Sequence, residues 1–452
     1  MRTYGFSRLR CPECGFERLV AFSCKSRICF SCWGRRMADT AAHLVDRLLP
    51  QIPYRQYVLT FPWPLRLPLA VQRGLLGEML RVYLRTLFAW QRRRGRALGI
   101  RDGQTGAIMF VQFFGGALNL NPHSHSIVPD GLFVPSEQGA LTFVPLPSPS
   151  DDDIARLTRK LAARLGALAN RRLSETEDLA TDVDDEEAHV HAALAEAQHV
   201  PRSQPGDIAA AETQAKHCCA QVDGFTLHAA RTVAEHDREG LEKLCKYGLR
   251  APFAVERFSM AQDGRVCYRL PKPWPTPRGQ TELRLEPRAL LRRLAALIPA
   301  PYFNLVRYYG VFANRSRFRK ALPPPPPPAA PTEPPPLPAT TPPPENLLPE
   351  DPPPLRPRRL PWAQLLRRAM HIDALTCPRC SVPMVVLAFI SDPKVVKRIL
   401  AHLKLPTSPP PLSPPRLVEQ EEMFGDDTSD LTDSESLGVA QNAHAPRGPP
   451  RR

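Results

Sequence analysis

Long apolar runs are missing from this chain of 452 residues. No stretch reaches the roughly 18 uninterrupted apolar residues of a membrane-spanning helix, so we expect none. The first ten residues include three arginines and lack the apolar core of a secretory signal, so we expect no signal peptide. The chain is therefore expected to stay in a reducing compartment, where paired cysteines indicate metal sites before disulfides.

Acidic residues are scarce in the first quarter of the chain. Residues 1–102 contain 19 Lys and Arg against 6 Asp and Glu, and the formal net charge of the whole chain is +15. A generic basic surface for solubility is the alternative, but such concentration of charge favours a nucleic-acid partner.

Proline is abundant, with 54 residues, and it divides the chain into units. Six consecutive prolines open a predicted polyproline II linker at 323–360. The predicted organisation is a zinc ribbon at 1–40, a main domain at 41–322 with an acidic, mobile insert at 174–215, the linker, a small C-terminal unit at 361–405 and a disordered tail at 406–452.

The apolar patterning of the main domain predicts an α+β fold, with helices flanking an antiparallel sheet. Predicted strands lie at 57–62, 108–114, 118–128 and 132–134. Predicted helices lie at 75–96, 151–172, 241–248 and 289–298, with a short helix start at 41–50.

Two Cys-x-x-Cys pairs lie close together near the N-terminus. Cys11 and Cys14 are separated from Cys29 and Cys32 by fourteen residues, a spacing that allows four thiolates to hold one zinc ion. Cys24 lies between the pairs and could replace one of the ligands. The zinc is expected to be structural, because so small a unit cannot be stabilised by its own core.

Basic residues accompany this cysteine cluster. We predict that Lys25, Arg27, Arg35 and Arg36 contact DNA phosphates. A later pair, Cys377 and Cys380, has no partner pair nearby in sequence, and is either half a zinc knuckle or two packed thiols.

Two histidines lie one residue apart in His123-Ser124-His125. Alternate side chains of a strand point to the same face, so both imidazoles can bind one divalent cation and leave coordination positions open. A lone pair of this kind is more often structural, but Asn119 and Asn121 add polar groups that could orient the rings.

Tyr247 lies near the end of the predicted helix 241–248. Lys243 and Lys246 lie within one turn of it and are predicted to bind phosphate and favour the phenolate. Tyr308 and Tyr309 lie in a strand-like stretch, where aromatic side chains usually fill the core.

Taken together, these motifs resemble the insertion-sequence-91 family of transposases, which belong to the single-strand nucleases named for a His-hydrophobe-His motif. The resemblance covers most of the chain outside 135–215 and the proline-rich parts. It is carried by the Cys11–Cys32 ribbon, Arg35-Arg36-Met37, residues 57–62, residues 119–125, Asp130-Gly131, residues 244–247, residues 307–311 and residues 362–405.

The resemblance implies a His-x-His nuclease fold in a catalytic domain at 41–322. It implies that His123 and His125 hold Mg²⁺ or Mn²⁺ and that Tyr247 attacks single-stranded DNA to form a 5′-phosphotyrosine. The substrate would be mobile-element ends in the bacterial cytoplasm, at nucleoid DNA. No nucleotide cofactor is needed, since each exchange conserves bond energy. Lys243 stands where some members carry a second tyrosine, so we expect one nucleophile.

Several alternatives remain open at this point. Glu242, Asp130 and His228 are candidates for a third metal ligand, and Ser124 replaces the usual bulky apolar residue between the histidines. The rival functions are a non-catalytic zinc-ribbon DNA-binding protein and a rolling-circle replication initiator.

Overall fold

The computed structural model describes residues 4–24, 29–177, 217–271, 280–298, 303–326, 360–370, 372–405 and 407. The predicted acidic insert lies outside these residues from 178 onward, and the predicted linker does so at 327–359. The predicted tail lies outside them except for residue 407.

Eight α-helices and four antiparallel sheets are formed by the described residues, which confirms the mixed architecture with antiparallel sheets and flanking helices. Within these ranges no helix is both long enough and apolar enough to span a bilayer. The helices are α1 Phe30–Arg47, α2 Trp63–Val71, α3 Arg73–Ala97, α4 Asp151–Glu177, α5 Arg238–Gly248, α6 Pro287–Leu297, α7 Trp362–Met370 and α8 Pro393–His402.

Fifteen strands make up the sheets of the described parts. They are β1 Phe6–Arg10, β2 Glu17–Ala21, β3 Tyr54–Thr60, β4 Gly106–Phe114, β5 Leu120–Pro129, β6 Gly131–Pro135, β7 Leu141–Pro145, β8 Cys219–Val222, β9 Phe225–His228, β10 Thr232–Val233, β11 Phe258–Met260, β12 Val266–Arg269, β13 Glu282–Leu285, β14 Val306–Gly310 and β15 Val385–Ile390.

The central sheet runs in the order β14-β4-β5-β3-β9-β8, with β10 beside β3. Every residue of β4 and of β5 is buried, because both strands are interior and helices cover both faces of the sheet. The predicted strands at 57–62, 108–114 and 118–128 are confirmed as β3, β4 and β5.

The helices form a layer on each face of this sheet. On one face α3 and α4 share a core with Val128, whereas on the other α1 and α5 share a core with Ile127. Because side chains alternate along a strand, His123 and His125 lie on the same face as Ile127, beneath α1 and α5. Ser124 consequently points towards the layer of α3 and α4.

The N-terminal hairpin does not form a unit by itself. β1 pairs with β2 on one side and with β15, from the predicted C-terminal unit, on the other. From Phe30 onward the chain is already helical, so the predicted ribbon at 1–40 ends in α1. The separate units predicted at 1–40 and 361–405 are therefore corrected: both contribute to one three-stranded sheet.

Candidate active site

The two histidines of β5 lie side by side in the protein interior. His123 is 2% exposed, His125 is 0% exposed, and their ring centroids are 4.9 Å apart. The His123 Nδ1 lies 2.7 Å from the carbonyl oxygen of Asn121. Because a carbonyl oxygen only accepts, Nδ1 donates its proton there and Nε2 keeps the lone pair that a metal ion requires.

Gln56 holds the second histidine. Its side-chain amide lies 3.0 Å from Nδ1 of His125. The atom placed there is Nε2 of Gln56, which donates to Nδ1. Turning the amide by 180° puts its oxygen there instead, and in that orientation Nδ1 donates and Nε2 carries the lone pair that a metal ion requires. The Nε2 atom of His125 is buried and has no hydrogen-bond partner among the described residues.

The protonation state of His125 also suits a ligand. Burial, followed by the neighbouring His123, Arg250 and His228, holds the pKa of His125 well below its ordinary value. The ring is therefore neutral at physiological pH, which is the form that binds metal ions.

Helix α5 brings Tyr247 to this pair. The Asp237 side chain caps its first turn by accepting from the Gly240 N–H at 2.7 Å. Its buried side chains Leu241, Leu244 and Cys245 recur at helical spacing and face the sheet. The half-buried Tyr247 ring then meets His125 edge to face, with the ring centroids 5.3 Å apart and the planes at 88°.

The end of α5 is fixed to β4. Gln112 donates from Nε2 to the carbonyl oxygens of Tyr247, at 3.0 Å, and of Gly248, at 3.1 Å. Gln112 is the residue of β4 that pairs with His123 in register. A Cβ atom on Gly248 would lie 2.5 Å from Cδ2 of the Phe110 ring, so the missing side chain permits the close approach. These two contacts set the position of Tyr247 over the histidines.

The cation nearest to the Tyr247 ring is not one of the predicted lysines. The Arg250 guanidinium lies 4.6 Å from the ring centroid. Lys243 and Lys246 instead form ion pairs of 2.6 and 2.9 Å with carboxylates of their own helix. Arg250 was missed because it follows the helix, and only its position three residues after Tyr247 could have indicated it.

Two of the three candidate third ligands are engaged elsewhere. Asp130 accepts from Nε and Nη2 of Arg55 at 3.0 and 2.7 Å, and it lies about 17 Å along the strand from His125. Glu242 is held in an ion pair with α7 at 2.5 Å. His228 shares the face of His125 but lies two strands away, about 10 Å by sheet spacing. Across the described ranges, the histidine pair is in no cluster of three potential ligands.

The other two candidate tyrosines lie in β14, as expected. Tyr308 packs against the core beneath α1 and α5, where burial raises its pKa, and the Arg319 guanidinium lies 5.6 Å from its ring. Tyr309 packs against the core of the opposite face. Both therefore serve as packing residues of the strand.

The cysteines are grouped differently from the prediction. The structure does not bring Cys11 and Cys14 to Cys29 and Cys32. It forms two clusters, each with all its sulfur atoms within 4.8 Å of one another: Cys11, Cys14, Cys377 and Cys380 in the first, and Cys24, Cys29 and Cys32 in the second.

Cys24 is thus a member of the second cluster rather than a substitute in the first. Its Sγ lies 3.3 Å from that of Cys32. Burial would raise the pKa of Cys32, but hydrogen bonds from Ser23 and Cys24 outweigh it and lower the pKa to about 7. Cys29 precedes α1 and Cys32 lies in its first turn, where the helix dipole also favours a thiolate.

Of the predicted DNA contacts near the cysteines, Lys25 and Arg27 lie outside the described residues. Arg35 is half-buried, donates from Nη2 to the carbonyl oxygen of Ala21 at 3.2 Å, and has its pKa lowered by burial. Arg36 is exposed on α1. Arg35 therefore has a structural contact, whereas the role of Arg36 in DNA binding stays a prediction.

Comparisons with known proteins match two parts of the chain to transposase families. Residues 1–61 match a family described as "Transposase zinc-binding domain", of the insertion-sequence-91 type, and residues 106–320 match one described as "Putative transposase". A segment of 131 residues is 30% identical to the "Transposase for insertion sequence element IS801" of Pseudomonas savastanoi pv. phaseolicola. That match covers 28% of this chain and 28% of the relative.

No solved structure matches the chain. The zinc-binding match includes Cys11, Cys14 and the second cysteine cluster, and the transposase match includes both histidines and Tyr247. The two family matches and the relative confirm the resemblance of the chain to transposases of the insertion-sequence-91 family.

Proposed function

We propose that this protein nicks and transfers single-stranded DNA at mobile-element ends, through a 5′-phosphotyrosine formed on Tyr247. One observation carries the proposal: the Tyr247 ring contacts the His125 ring although the two residues are far apart in sequence. The contact places a phenol beside two imidazoles that can bind one metal ion.

The histidine pair fits a divalent cation such as Mg²⁺ or Mn²⁺. His123 keeps its Nε2 lone pair because its Nδ1–H donates to the Asn121 carbonyl oxygen, and His125 is neutral with a buried Nε2. An ion bound there would neutralise charge on the oxygens of the scissile phosphate. We propose that substrate oxygens and water complete its coordination.

The chain's own residues carry the transfer. The Tyr247 phenolic oxygen forms a bond to phosphorus, the bond from phosphorus to the 3′-oxygen breaks, and that oxygen takes up a proton while the phenol loses one. Arg250 lies over the Tyr247 ring, where its positive charge favours the phenolate and attracts the phosphate. Attack by a second 3′-hydroxyl then reverses the bond exchange, so no nucleotide cofactor is consumed.

The test is a covalent-adduct assay with the full chain, Mn²⁺ and a labelled single-stranded oligonucleotide that carries the element's end. Tyr247→Phe should abolish the denaturation-resistant adduct, whereas Tyr308→Phe and Tyr309→Phe should retain it. His123→Ala should abolish the adduct and leave the zinc content unchanged, because the cysteine clusters lie apart from the histidines.

An adduct that persists in Tyr247→Phe would refute the nucleophile. DNA binding without an adduct on any element end would favour a non-catalytic DNA-binding protein. Preferential cleavage at a replication origin would instead favour a rolling-circle initiator. The location in the bacterial cytoplasm, at nucleoid DNA, stays a prediction.

A further inference from the structure

The first cysteine cluster has the dimensions of a tetrahedral thiolate site. The Sγ of Cys380 lies 3.3 Å from that of Cys11 and 3.6 Å from that of Cys14, and the Sγ atoms of Cys14 and Cys377 are 3.5 Å apart. Zinc bonds of 2.3 Å at tetrahedral angles place sulfur atoms about 3.8 Å apart. These three distances lie within about 0.5 Å of that spacing, and all four sulfur atoms lie within 4.8 Å of one another.

The first pair, Cys11 and Cys14, and the second pair, Cys377 and Cys380, lie in turns with the same backbone hydrogen bonds. In the first, the N–H of Cys11 donates to the Phe16 carbonyl at 2.8 Å and the N–H of Gly15 donates to the Cys11 carbonyl at 3.1 Å. In the second, the N–H of Cys377 donates to the Val382 carbonyl and that of Ser381 to the Cys377 carbonyl, both at 2.9 Å.

The residue that follows each pair also has the same conformation. Gly15 has φ of 68° and Ser381 has φ of 59°, both in the left-handed region. A serine rarely adopts that region, and it does so here at the position that repeats the first turn. Two matched turns facing each other are a second sign, independent of the sulfur distances, that both pairs hold one ligand.

We propose that Cys11, Cys14, Cys377 and Cys380 bind one zinc ion, and that this ion fastens the C-terminal unit 361–405 to the N-terminal hairpin. β1 and β15 are paired beside it, from Phe6 opposite Ile390 to Arg10 opposite Val385. The inference does not depend on the proposed nuclease chemistry.

The fastened unit reaches the helix of Tyr247. On α7, Arg368 donates to Asp46 of α1 at 2.6 Å and to Glu242 of α5 at 2.8 Å. The zinc ion at the hairpin thereby holds α7 in place, and α7 stabilises α5 through the ion pair of Arg368 with Glu242. Loss of the ion should loosen this contact without altering the histidine pair.

Zinc content per chain tests the ligand set, because a single site made by the two N-terminal pairs makes the opposite prediction. Cys380 is exposed, so Cys380→Ser should leave the fold intact while removing one zinc equivalent. Cys29→Ser disables the second cluster, and at least one equivalent should remain that is lost when Cys380→Ser is added. Cys267→Ala, in β12, is the control and should retain all zinc. Unchanged zinc in Cys380→Ser, or complete loss in Cys29→Ser alone, would overturn the proposal.

A cut chain tests the fastening. A recognition site for a specific protease is inserted between Ala339 and Thr340, and the chain is cleaved after purification. The two fragments should elute together with zinc bound and separate after chelation. In the Cys377→Ser/Cys380→Ser variant they should separate without a chelator. Fragments that stay together after the metal is removed, or that separate while it is bound, would refute the role of the ion.

Discussion

The close approach of α5 to β4 at Gly248 leads to a quantitative prediction. An added Cβ would lie 2.5 Å from Cδ2, 2.6 Å from Cγ and 3.0 Å from Cβ of Phe110. Phe110 is 1% exposed and pairs with His125 in register, so its ring cannot move aside without disturbing β5. Overpacking of this kind costs about 1–3 kcal/mol, partly offset by the ~0.5–1 kcal/mol that alanine gains over glycine in a helix.

Gly248→Ala should therefore lower the free energy of unfolding by about 1–2 kcal/mol in urea denaturation. It should also reduce the yield of the DNA adduct, because α5 must shift and carry Tyr247 away from His125. The matched control is Gly166→Ala within α4, where an added Cβ meets no atom within 4 Å. The free energy of unfolding of Gly166→Ala should be higher than that of the wild type by ~0.5–1 kcal/mol, and the variant should form the adduct as the wild type does. A Gly248→Ala protein as stable as the wild type would refute the packing argument.

Three further predictions each concern one buried or half-buried side chain. Gln56→Leu removes the partner of His125 Nδ1 and should cut Mn²⁺-dependent adduct formation about 10–100-fold, measured over a Mn²⁺ titration, with zinc content unchanged. Ser124→Ala removes a buried hydroxyl that has no hydrogen-bond partner among the described residues. Urea denaturation should therefore show a free energy of unfolding that is higher by about 1 kcal/mol, and a lower free energy of unfolding would contradict this. Burial would raise the pKa of Glu242, but the hydrogen bond from Arg368 and the charge of Lys246 lower it below 4.5. The ionised Glu242 carboxylate therefore stabilises the fold fully above its unfolded-state pKa. This stabilisation is lost as the pH falls through its lower folded-state pKa. Glu242→Gln should flatten the fall in stability that the wild type shows as the pH drops below about 4.5, and an unchanged slope would contradict the ion pair.

The parts of the site that depend on local periodicity were predictable. Alternation in a strand was enough to place His123 and His125 on one face, whatever the rest of the sheet does. The helix predicted at 241–248 likewise ends at Gly248 as α5 does, although α5 begins earlier, at Arg238. Both patterns span about ten residues or fewer. Within that length one strand or helix has a regular backbone, so its own sequence decides which side chains share a face.

The grouping of the cysteines could not be read in this way. Every Cys-x-x-Cys pair offers the same chemistry, and proximity in sequence favoured joining Cys11 to Cys29 rather than to Cys377. The correct pairing follows from β15 lying beside β1, a contact between opposite ends of the chain. No local pattern encodes such a contact.

The supporting residues of the site depend on register for the same reason. Gln112 reaches the end of α5 because it lies opposite His123, and Gln56 reaches His125 across the neighbouring strand. The charge pattern of α5 favoured Lys243 and Lys246, but both pair with carboxylates one turn earlier, which leaves Arg250 at the tyrosine ring.

Peptide mapping of the covalent DNA adduct by mass spectrometry tests the central claim most directly. The chain is trapped with Mn²⁺ and a single-stranded element end, digested with nuclease and protease, and searched for the residue that carries a 5′-nucleotide. A 5′-phosphate ester on Tyr247 is the predicted result. The same ester on Tyr308, Tyr309 or any other residue would contradict the assignment of Tyr247 as the nucleophile beside the histidine pair.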